Sequence, residues 1–311
     1  MINAYPQHHR FSFTGQGSRY FGIWAVNIIL TILTFGLYYP WAKAAVRKYL
    51  WNETTLDGDP FVYHGTGKEM FRGFIIAYGM IFALFAMAYF FPMAILMLYI
   101  GLILLGPIAI FGAWRYRLSR TSWRGIFFSF RGNLTDFVKL YFKNIFLTII
   151  TLGIYGSWMR VNIMKYLLSH SQFGQYKLDF RGTGGELFGI NIAGLILTIV
   201  TLYIYLPWYI ANSFNFTIDN TEIEEEDGIV STLKSTLTGG STFYIFVTNA
   251  LMVMFTFGLA FPWAAMRGQK LFTESVNVHD EVDLENLKQD SEDYRDATGD
   301  DLLDILDIDL V

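Results

Sequence analysis

The sequence contains no cysteine among its 311 residues. This absence excludes disulfide bonds, thiol nucleophiles and cysteine-ligated metal ions. Charged residues are also scarce: they make up 16% of the chain, whereas soluble domains carry about 25%. Hydrophobic residues account for 53% of the chain, and the mean hydropathy is +0.35. The composition therefore favours an integral membrane protein.

The longest uncharged stretch runs over residues 73–114, which contain no Asp, Glu, Lys or Arg. One membrane-spanning helix needs about 20 apolar residues. The stretch is thus long enough for two spans, and Pro92 and Met93 mark a turn between them. Aromatic residues make up 18% of the chain, which suits a protein with rings at the membrane–water interface.

The few charges are unevenly distributed. Residues 277–311 contain 13 acidic and two basic residues, whereas residues 1–276 contain 14 acidic and 21 basic ones. Such an acidic segment has too few apolar residues to order most of itself, so we expect a disordered tail over 277–311. Its end, from Leu302 to Val311, alternates acidic and aliphatic residues, which also suits a short docking segment.

An internal repeat appears when the chain is shifted by 117 positions. Residues 11–73 then align without a gap with residues 128–190, and 21 of the 63 positions are identical. Each copy contains a Thr-x-Gly-x-Tyr element followed by Trp and by Lys-Tyr-Leu. Residues 249–270 carry a partial third copy, and residues 201–208 keep fragments of a fourth. Internal repeats are common in membrane transporters.

The repeats divide the chain. The predicted segments are an N-terminal segment (1–10), membrane repeat 1 (11–127), membrane repeat 2 (128–234), a partial membrane repeat 3 (235–276) and the acidic tail (277–311).

Short polar modules lie between the apolar runs. Asp57 and Gly58 separate two alternating stretches, a pattern that predicts a β-hairpin. Thr66 and Glu69 have the spacing of a helix capping box, and so do Thr183 and Glu186. We therefore predict an all-α polytopic membrane protein with short β-hairpin modules between helices, built by an internal duplication with a 117-residue offset plus a partial third copy.

The membrane topology has two solutions. The apolar runs occupy residues 20–41, 71–91, 94–113, 138–158, 187–210 and 243–264. Positive charge normally marks the cytoplasmic side, yet Arg19 and Lys43 flank the first run on both ends. Either the runs are ordinary spans and basic modules face both sides, or the Thr-x-Gly-x-Tyr element turns the chain back and keeps every hairpin cytoplasmic. The charge distribution favours the second solution.

These motifs resemble the YjgN-like family of bacterial inner-membrane proteins, whose function is unknown. The resemblance is carried by Phe11, Phe13, Gly15, Asn27, Thr34, Gly36, Pro40, Trp41, Lys48, Tyr49, Gly65 and Gly67. It covers roughly residues 10–275 and leaves the acidic tail outside. The resemblance implies a multi-pass protein of a bacterial cytoplasmic membrane, and it brings no activity and no catalytic or binding residues.

Three asparagines lie at aligned positions inside apolar runs: Asn27, Asn144 and Asn249. Such residues can form hydrogen bonds between helices, worth about 0.6–2 kcal/mol each. Alternatively, they can line the path of a solute, because polar groups inside a membrane often mark pathways. The sequence leaves both roles open.

Two further sets of residues have predicted roles. Gly36, Gly153 and Gly258 are candidate helix breaks, because glycine adopts the conformations that interrupt a helix. The candidate interface anchors are Trp41, Trp158, Trp208, Trp263, Lys48, Lys165 and Lys270. Trp prefers the membrane–water interface, and a nearby Lys extends its charge toward headgroups or water.

No constellation of residues indicates an enzyme. The five histidines show no metal-ligand spacing, so we expect no catalytic, cofactor-binding or metal site and no bound cofactor. The sequence favours a passive or weakly coupled small-solute transporter or channel in the bacterial inner membrane, with a cytoplasmic tail. The alternative is a non-transporting scaffold that recruits a cytoplasmic partner through its hairpins or through residues 277–311. The lipid bilayer is the expected partner, nucleic acid is not, and homo-oligomerisation stays open.

Overall fold

The computed structural model describes residues 9–91, 94–225, 228–279, 282–284 and 287. These residues form ten α-helices and ten β-strands, and pairs of helices alternate with pairs of strands along the chain. The predicted turn at residues 92 and 93 lies outside the described residues.

The helices form a closed ring. They are α1 (Gly17–Leu33), α2 (Tyr39–Asn52), α3 (Gly67–Phe90), α4 (Ala94–Ser119), α5 (Leu134–Ile150), α6 (Gly156–Ser169), α7 (Gly184–Val200), α8 (Leu206–Asp219), α9 (Gly239–Phe255) and α10 (Phe261–Glu274). Each helix packs on the next one along the chain, and α10 packs on α1. The pairs α1–α2, α3–α4, α5–α6, α7–α8 and α9–α10 are therefore five helical hairpins arranged around one axis.

The strands form a closed antiparallel barrel. They are β1 (His9–Phe13), β2 (Thr54–Leu56), β3 (Asp59–Tyr63), β4 (Thr121–Trp123), β5 (Ile126–Phe130), β6 (Ser171–Phe173), β7 (Tyr176–Phe180), β8 (Thr221–Glu225), β9 (Gly228–Ser235) and β10 (Val276–His279). Each strand pairs with its neighbours in chain order, and β1 pairs with β10 to complete the circle.

The predicted all-α fold class is wrong, because the hairpin modules are parts of one ten-stranded barrel. The predicted hairpin at Asp57 and Gly58 is present, and both residues have the positive φ of a tight hairpin turn, 52° and 90°. A single two-stranded hairpin is marginally stable. Here each hairpin also pairs with the next, as when Phe61 of β3 lies opposite Trp123 of β4, so no strand edge is left open.

Most predicted spans are interrupted. The runs 20–41, 138–158, 187–210 and 243–264 each contain the end of one helix, a turn and the start of the next. Within the described parts of the chain, one helix is long and apolar enough to cross a membrane by length and composition, Gly67–Met87. Because all ten strands belong to one barrel, the β-hairpins lie together at one end of the helix ring.

The start of the acidic tail is part of the barrel. Residues 277–279 belong to β10 and not to a disordered segment. Beyond them, Val282 and Leu284 are buried in the lumen together with Trp123 and Tyr176. The apolar residues of this segment fill the barrel because their burial removes their surface from water. The docking pattern over 302–311 lies outside the described residues.

Candidate functional site: an aromatic cavity between the helix ring and the barrel

Four of the five helical hairpins turn through the same threonine-based structure. The Thr34 hydroxyl donates to the Leu30 carbonyl oxygen at 2.7 Å and accepts the Tyr38 backbone N–H at 2.9 Å. The same two contacts are made by Thr151, Thr201 and Thr256. The hydroxyl thus links the end of one helix to the beginning of the next, which explains why threonine opens the repeated element.

The predicted break glycines lie in these turns. Gly36, Gly153 and Gly258 have φ values between +89° and +92°, a region that glycine adopts at little cost. The α7–α8 turn has Tyr203 at the corresponding position, with φ of +69°.

Each turn also exposes an apolar side chain at its tip. Phe35, Leu152, Leu202 and Phe257 directly follow the threonines, all have φ of +50°, and all are at least 84% exposed. This left-handed conformation costs a non-glycine residue about 1–2 kcal/mol. The fold therefore presents large apolar groups outward at four tips, at the end of the helix ring opposite the barrel.

The predicted tryptophan anchors pack between neighbouring hairpins. Trp41, Trp158, Trp208 and Trp263 each cover the first glycine of the following odd-numbered helix, which is Gly67, Gly184, Gly239 and Gly17, respectively. A Cβ on any of these glycines would lie within 2.5 Å of the indole ring. The ring of each tryptophan also lies 5.0–5.4 Å from a phenylalanine one helical turn further, as Trp41 does from Phe71.

The three predicted asparagines lie between the two helices of their own hairpins. Asn27 Nδ2 donates to the Ala42 carbonyl oxygen at 3.4 Å, and Asn249 Nδ2 donates to that of Ala264 at 2.9 Å. Asn144 Oδ1 accepts the Asn162 side-chain N–H at 2.7 Å. None of the three asparagines lines the cavity described below.

The predicted lysine anchors lie near the barrel. Lys48, Lys165 and Lys270 are exposed in the last two turns of α2, α6 and α10, which lead into strands. Lys270 Nζ lies 3.8 Å from Glu274 Oε1. In sequence, Trp41, Trp158 and Trp263 stand in the first turn of these helices, and each lysine follows its tryptophan by seven residues.

A cavity of about 470 Å³ lies where the helix ring meets the barrel. Its helical wall comes from the C-terminal ends of α2, α4, α8 and α10, which contribute Trp51, Leu118, Ile218 and Thr273 at corresponding positions, three residues before the next strand. These four helices line the cavity on the side of the helix ring.

The cavity floor is aromatic. Phe11, Phe61 and Phe128 project from β1, β3 and β5, and their other contacts are with the apolar residues of the barrel lumen. Trp114 and Phe214 add rings from the helices. The sequence analysis did not identify these rings. A local signal exists: each of the three strand phenylalanines is followed two residues later by the buried aromatic residue that ends the strand, as Phe61 is by Tyr63.

Arg117 brings positive charge to the cavity wall. Its Nε donates to the Ala113 carbonyl oxygen at 3.1 Å, and its guanidinium lies 5.3 Å from the centre of the Trp114 ring. Arg117 also repels Arg47, which in turn repels Lys43. The arrangement can bind an apolar molecule and favour one that carries negative charge.

The lower end of the barrel is closed by the segment that follows β10. His9 Nε2 lies 3.0 Å from the Val282 carbonyl oxygen, and Arg124 Nη1 donates to that of Leu284 at 3.0 Å. Tyr176 donates its hydroxyl to the Asp283 carbonyl oxygen at 3.3 Å. Burial raises the pKa of the Tyr176 hydroxyl, so this donor keeps its proton near neutral pH.

A second titratable group lies on the barrel near its junction with the helices. Burial, followed by the charges of Arg120 and Lys48, lowers the pKa of His64. Its Nε2 lies 2.8 Å from Ser122 Oγ. We therefore expect a neutral imidazole at pH 7. Among the described residues, no group of three or more His, Asp or Glu side chains is arranged to hold a metal ion.

A protein-family model described as "Bacterial protein of unknown function (DUF898)" matches residues 8–179, 175–227 and 209–305. The chain belongs to this family. The match extends over all ten helices and strands and confirms the resemblance found in the motifs.

Curated relatives of the family are named inner membrane protein YjgN. The protein of Salmonella typhimurium is 38% identical over 79 residues, which are 25% of this chain and 20% of the relative. That of Escherichia coli K12 is 32% identical over 146 residues, 47% of this chain and 37% of the relative. The matches thus span well under half of these relatives. Their names support an inner-membrane protein of unassigned function, and no solved structure matches the chain.

Proposed function

We propose that the five helical hairpins insert into the inner membrane from one side, with the barrel at the surface of that side. Large apolar side chains are exposed at the C-terminal ends of odd-numbered helices, which lead into the turns, for example Leu33 at 68%, Val200 at 72% and Phe255 at 74%. Together with the tips they form an apolar surface larger than water-soluble proteins usually expose. A lipid environment would cover it.

The charges support this orientation. No Asp, Glu, Lys or Arg occurs in residues 20–42, 144–159, 187–218 or 235–266, which contain the turns. Most basic residues lie instead on the strands and on the parts of the helices nearest to them, whereas Lys43 and Arg160, at the fifth position of α2 and α6, lie nearer to the turns. Because positive charge favours the cytoplasmic side, the barrel and the acidic segment would be cytoplasmic.

The hairpins differ in the depth that they can reach. A helix of 17 residues, such as α1, is about 26 Å long, and the 24 residues of α3 give about 36 Å. The hydrocarbon core of a bilayer is about 30 Å thick. In this arrangement the α3–α4 hairpin reaches furthest, α3 is long enough to cross the membrane, and the other four hairpins enter it and return.

The function that this arrangement supports best is passive or weakly coupled movement of a small solute, with the axial cavity as its binding site. The cavity itself carries the proposal, because the helices form a closed ring and four of them, α2, α4, α8 and α10, line the cavity at corresponding positions. Below it the lumen is filled by Trp123, Val282 and Leu284. Passage along the barrel axis therefore requires the segment after β10 to leave the lumen.

A scaffold function has less support from this fold. The strands form a closed barrel, so no described strand offers a free edge to which a partner could add a strand.

Solute flux into proteoliposomes tests the proposed function. Leu284→Asp puts a charge into the apolar lumen and should release the segment, so we expect more flux than with the wild-type protein. Thr273→Trp fills the cavity, so the double variant should show no more flux than empty liposomes. Val62→Asp is the matched control, because it puts the same charge on an exposed position of β3.

Flux with Leu284→Asp that persists in the double variant would exclude the cavity as the path. If Leu284→Asp conducts none of a panel of neutral, anionic and cationic solutes, the transport function is wrong.

A further inference from the structure

We propose that the axial cavity binds an organic anion with an apolar body, and that Arg117 is its counter-charge. The inference rests on the proposed function for the choice of site and adds the chemical class of the solute. It makes a separate claim about binding, which can be measured without transport.

The cavity fits an apolar body. Rings of Trp51, Trp114, Phe61, Phe128 and Phe272 face it from helices and strands. Small-molecule sites are typically lined by apolar and aromatic side chains and have volumes of about 300–1,000 Å³. At about 470 Å³ the cavity can enclose one small molecule.

No carboxylate of the described residues neutralises the charge of Arg117. Among the ion pairs formed by described residues, none includes Arg117. Its contacts are the Ala113 carbonyl oxygen and the ring of Trp114, which leave the terminal nitrogens of the guanidinium free to donate towards a ligand. An anion in the cavity would accept those hydrogen bonds.

Two further cations strengthen the positive potential. Arg47 and Lys43 form no ion pair with a described residue. Arg47 Nη1 donates to the Tyr63 hydroxyl at 3.4 Å and lies 3.8 Å from Met70 Sδ, and the Lys43 ammonium lies 5.6 Å from the centre of the Tyr39 ring. Because Arg47 and Arg117 repel each other, a bound anion would relieve the repulsion as well as pair with Arg117.

Other arginines near the barrel show the contrast. Arg120 Nη2 lies 3.2 Å from Glu69 Oε1, and Arg181 pairs with Glu222. In these pairs the protein supplies its own carboxylate. Arg117, the charged residue of the cavity lining, has no such carboxylate among the described residues, and we assign its counter-charge to a ligand.

The same chemistry could come from a soluble aromatic acid or from a fatty acid in the membrane. Isothermal titration of the protein in nanodiscs distinguishes them with 1-naphthoate and dodecanoate as probes. The neutral 1-naphthylmethanol and the cationic 1-naphthylmethylamine test the requirement for charge, and empty nanodiscs correct for partitioning into lipid.

We expect 1-naphthoate or dodecanoate to bind about tenfold more tightly than the neutral probe, the effect of one charge-assisted contact. Arg117→Gln should abolish that preference while leaving the affinity for 1-naphthylmethanol unchanged, and Arg117→Lys should keep most of it. Arg160→Gln is the matched control, because Arg160 lies in α6, which does not line the cavity. Thr273→Trp should remove binding of every probe.

The proposal is overturned if anionic and neutral probes bind equally, or if Arg117→Gln weakens both equally. Folding of each variant is checked by its thermal unfolding. Tight anion binding without any flux would support this inference and contradict the proposed transport. Flux without a preference for anions would support the transport and contradict this inference.

Discussion

The α3–α4 hairpin and the other four hairpins solve the same packing problem with different chain lengths. Its helices have 24 and 26 residues, against 17 and 14 in each of the others. The short hairpins all contain the threonine turn, whereas residues 73–114 of the long hairpin contain no threonine. We infer that the threonine turn determines how long a hairpin is. The position of the hairpin in the ring depends on other contacts.

A shared proline supports this conclusion. Pro40, Pro207 and Pro262 stand fourteen residues before the next strand and lie in the first turn of α2, α8 and α10, where proline is well tolerated. Pro107 has the same spacing but lies inside α4. All four prolines are fully buried, so the packing position is kept although the backbone around it differs.

The contact between hairpins also differs. Four of the contacts join a tryptophan to the first glycine of the next helix. Between α4 and α5, Ile108 stands at the position of the tryptophan and Leu134 at the position of the glycine. A smaller residue stands in place of the tryptophan, and a larger one in place of the glycine. The exchange suggests that the total volume of each pair is what the ring requires.

The strongest test of this comparison is Gly184→Leu. A Cβ at Gly184 would lie 2.2 Å from Trp158 Cδ1. We therefore expect the free energy of unfolding to fall by about 3 kcal/mol, at the upper end of the cost of overpacking. Adding Trp158→Ile reproduces the combination found between α4 and α5 and should restore at least half of the loss. Thermal unfolding in detergent, followed by circular dichroism, measures both.

Gly185→Leu is the matched control, because a Cβ at Gly185 would meet no atom within 4 Å. A similar loss in Gly185→Leu, or no recovery in the double variant, would show that complementary volume does not explain the exchange.

The sequence predicts the local features of this fold better than its closure. The hairpin turn at Asp57 and the capping box of Thr66 and Glu69 depend on residues within a few positions, and both are present. Pairing of β3 with β4 joins Phe61 to Trp123 across two long helices. Nothing local to either strand specifies that partner.

The cavity was unpredictable for the same reason. Its lining joins Phe11, Trp114 and Phe272, which belong to distant parts of the chain. The tryptophan contacts did leave a local signal, a glycine followed four residues later by phenylalanine, as at Gly67 and Phe71. That spacing places both residues on one helical face, where the tryptophan of the preceding hairpin covers them.

A smaller effect is expected at the turn itself. Gly153 has φ of +92°, and Tyr203 adopts +69° at the corresponding position. We expect Gly153→Tyr to lower the free energy of unfolding by about 1 kcal/mol, because the left-handed region costs a non-glycine residue about 1–2 kcal/mol. Tyr203→Gly should raise it by less than that, because glycine loses more conformational entropy on folding. Thermal unfolding of both variants gives the comparison, and shifts in the same direction would contradict this explanation.

The smallest effect concerns the threonine that distinguishes the short hairpins. Thr151→Val removes the acceptor of the Tyr155 backbone N–H, which lies 3.0 Å from the hydroxyl, and keeps the side-chain shape. We expect a loss of about 1 kcal/mol, as for other helix caps.

Thr148→Val is the matched control for this change. The Thr148 hydroxyl donates to the Asn144 carbonyl oxygen of its own helix at 2.8 Å, lies 3.6 Å from Met159 Sδ of α6, and accepts no backbone N–H among the described contacts. Its removal leaves the start of α6 intact, so the denaturant midpoint in detergent should fall clearly less than in Thr151→Val. Equal losses would mean that both hydroxyls act only on their own helix, and the absence of the threonine from α3–α4 would no longer explain why those helices continue.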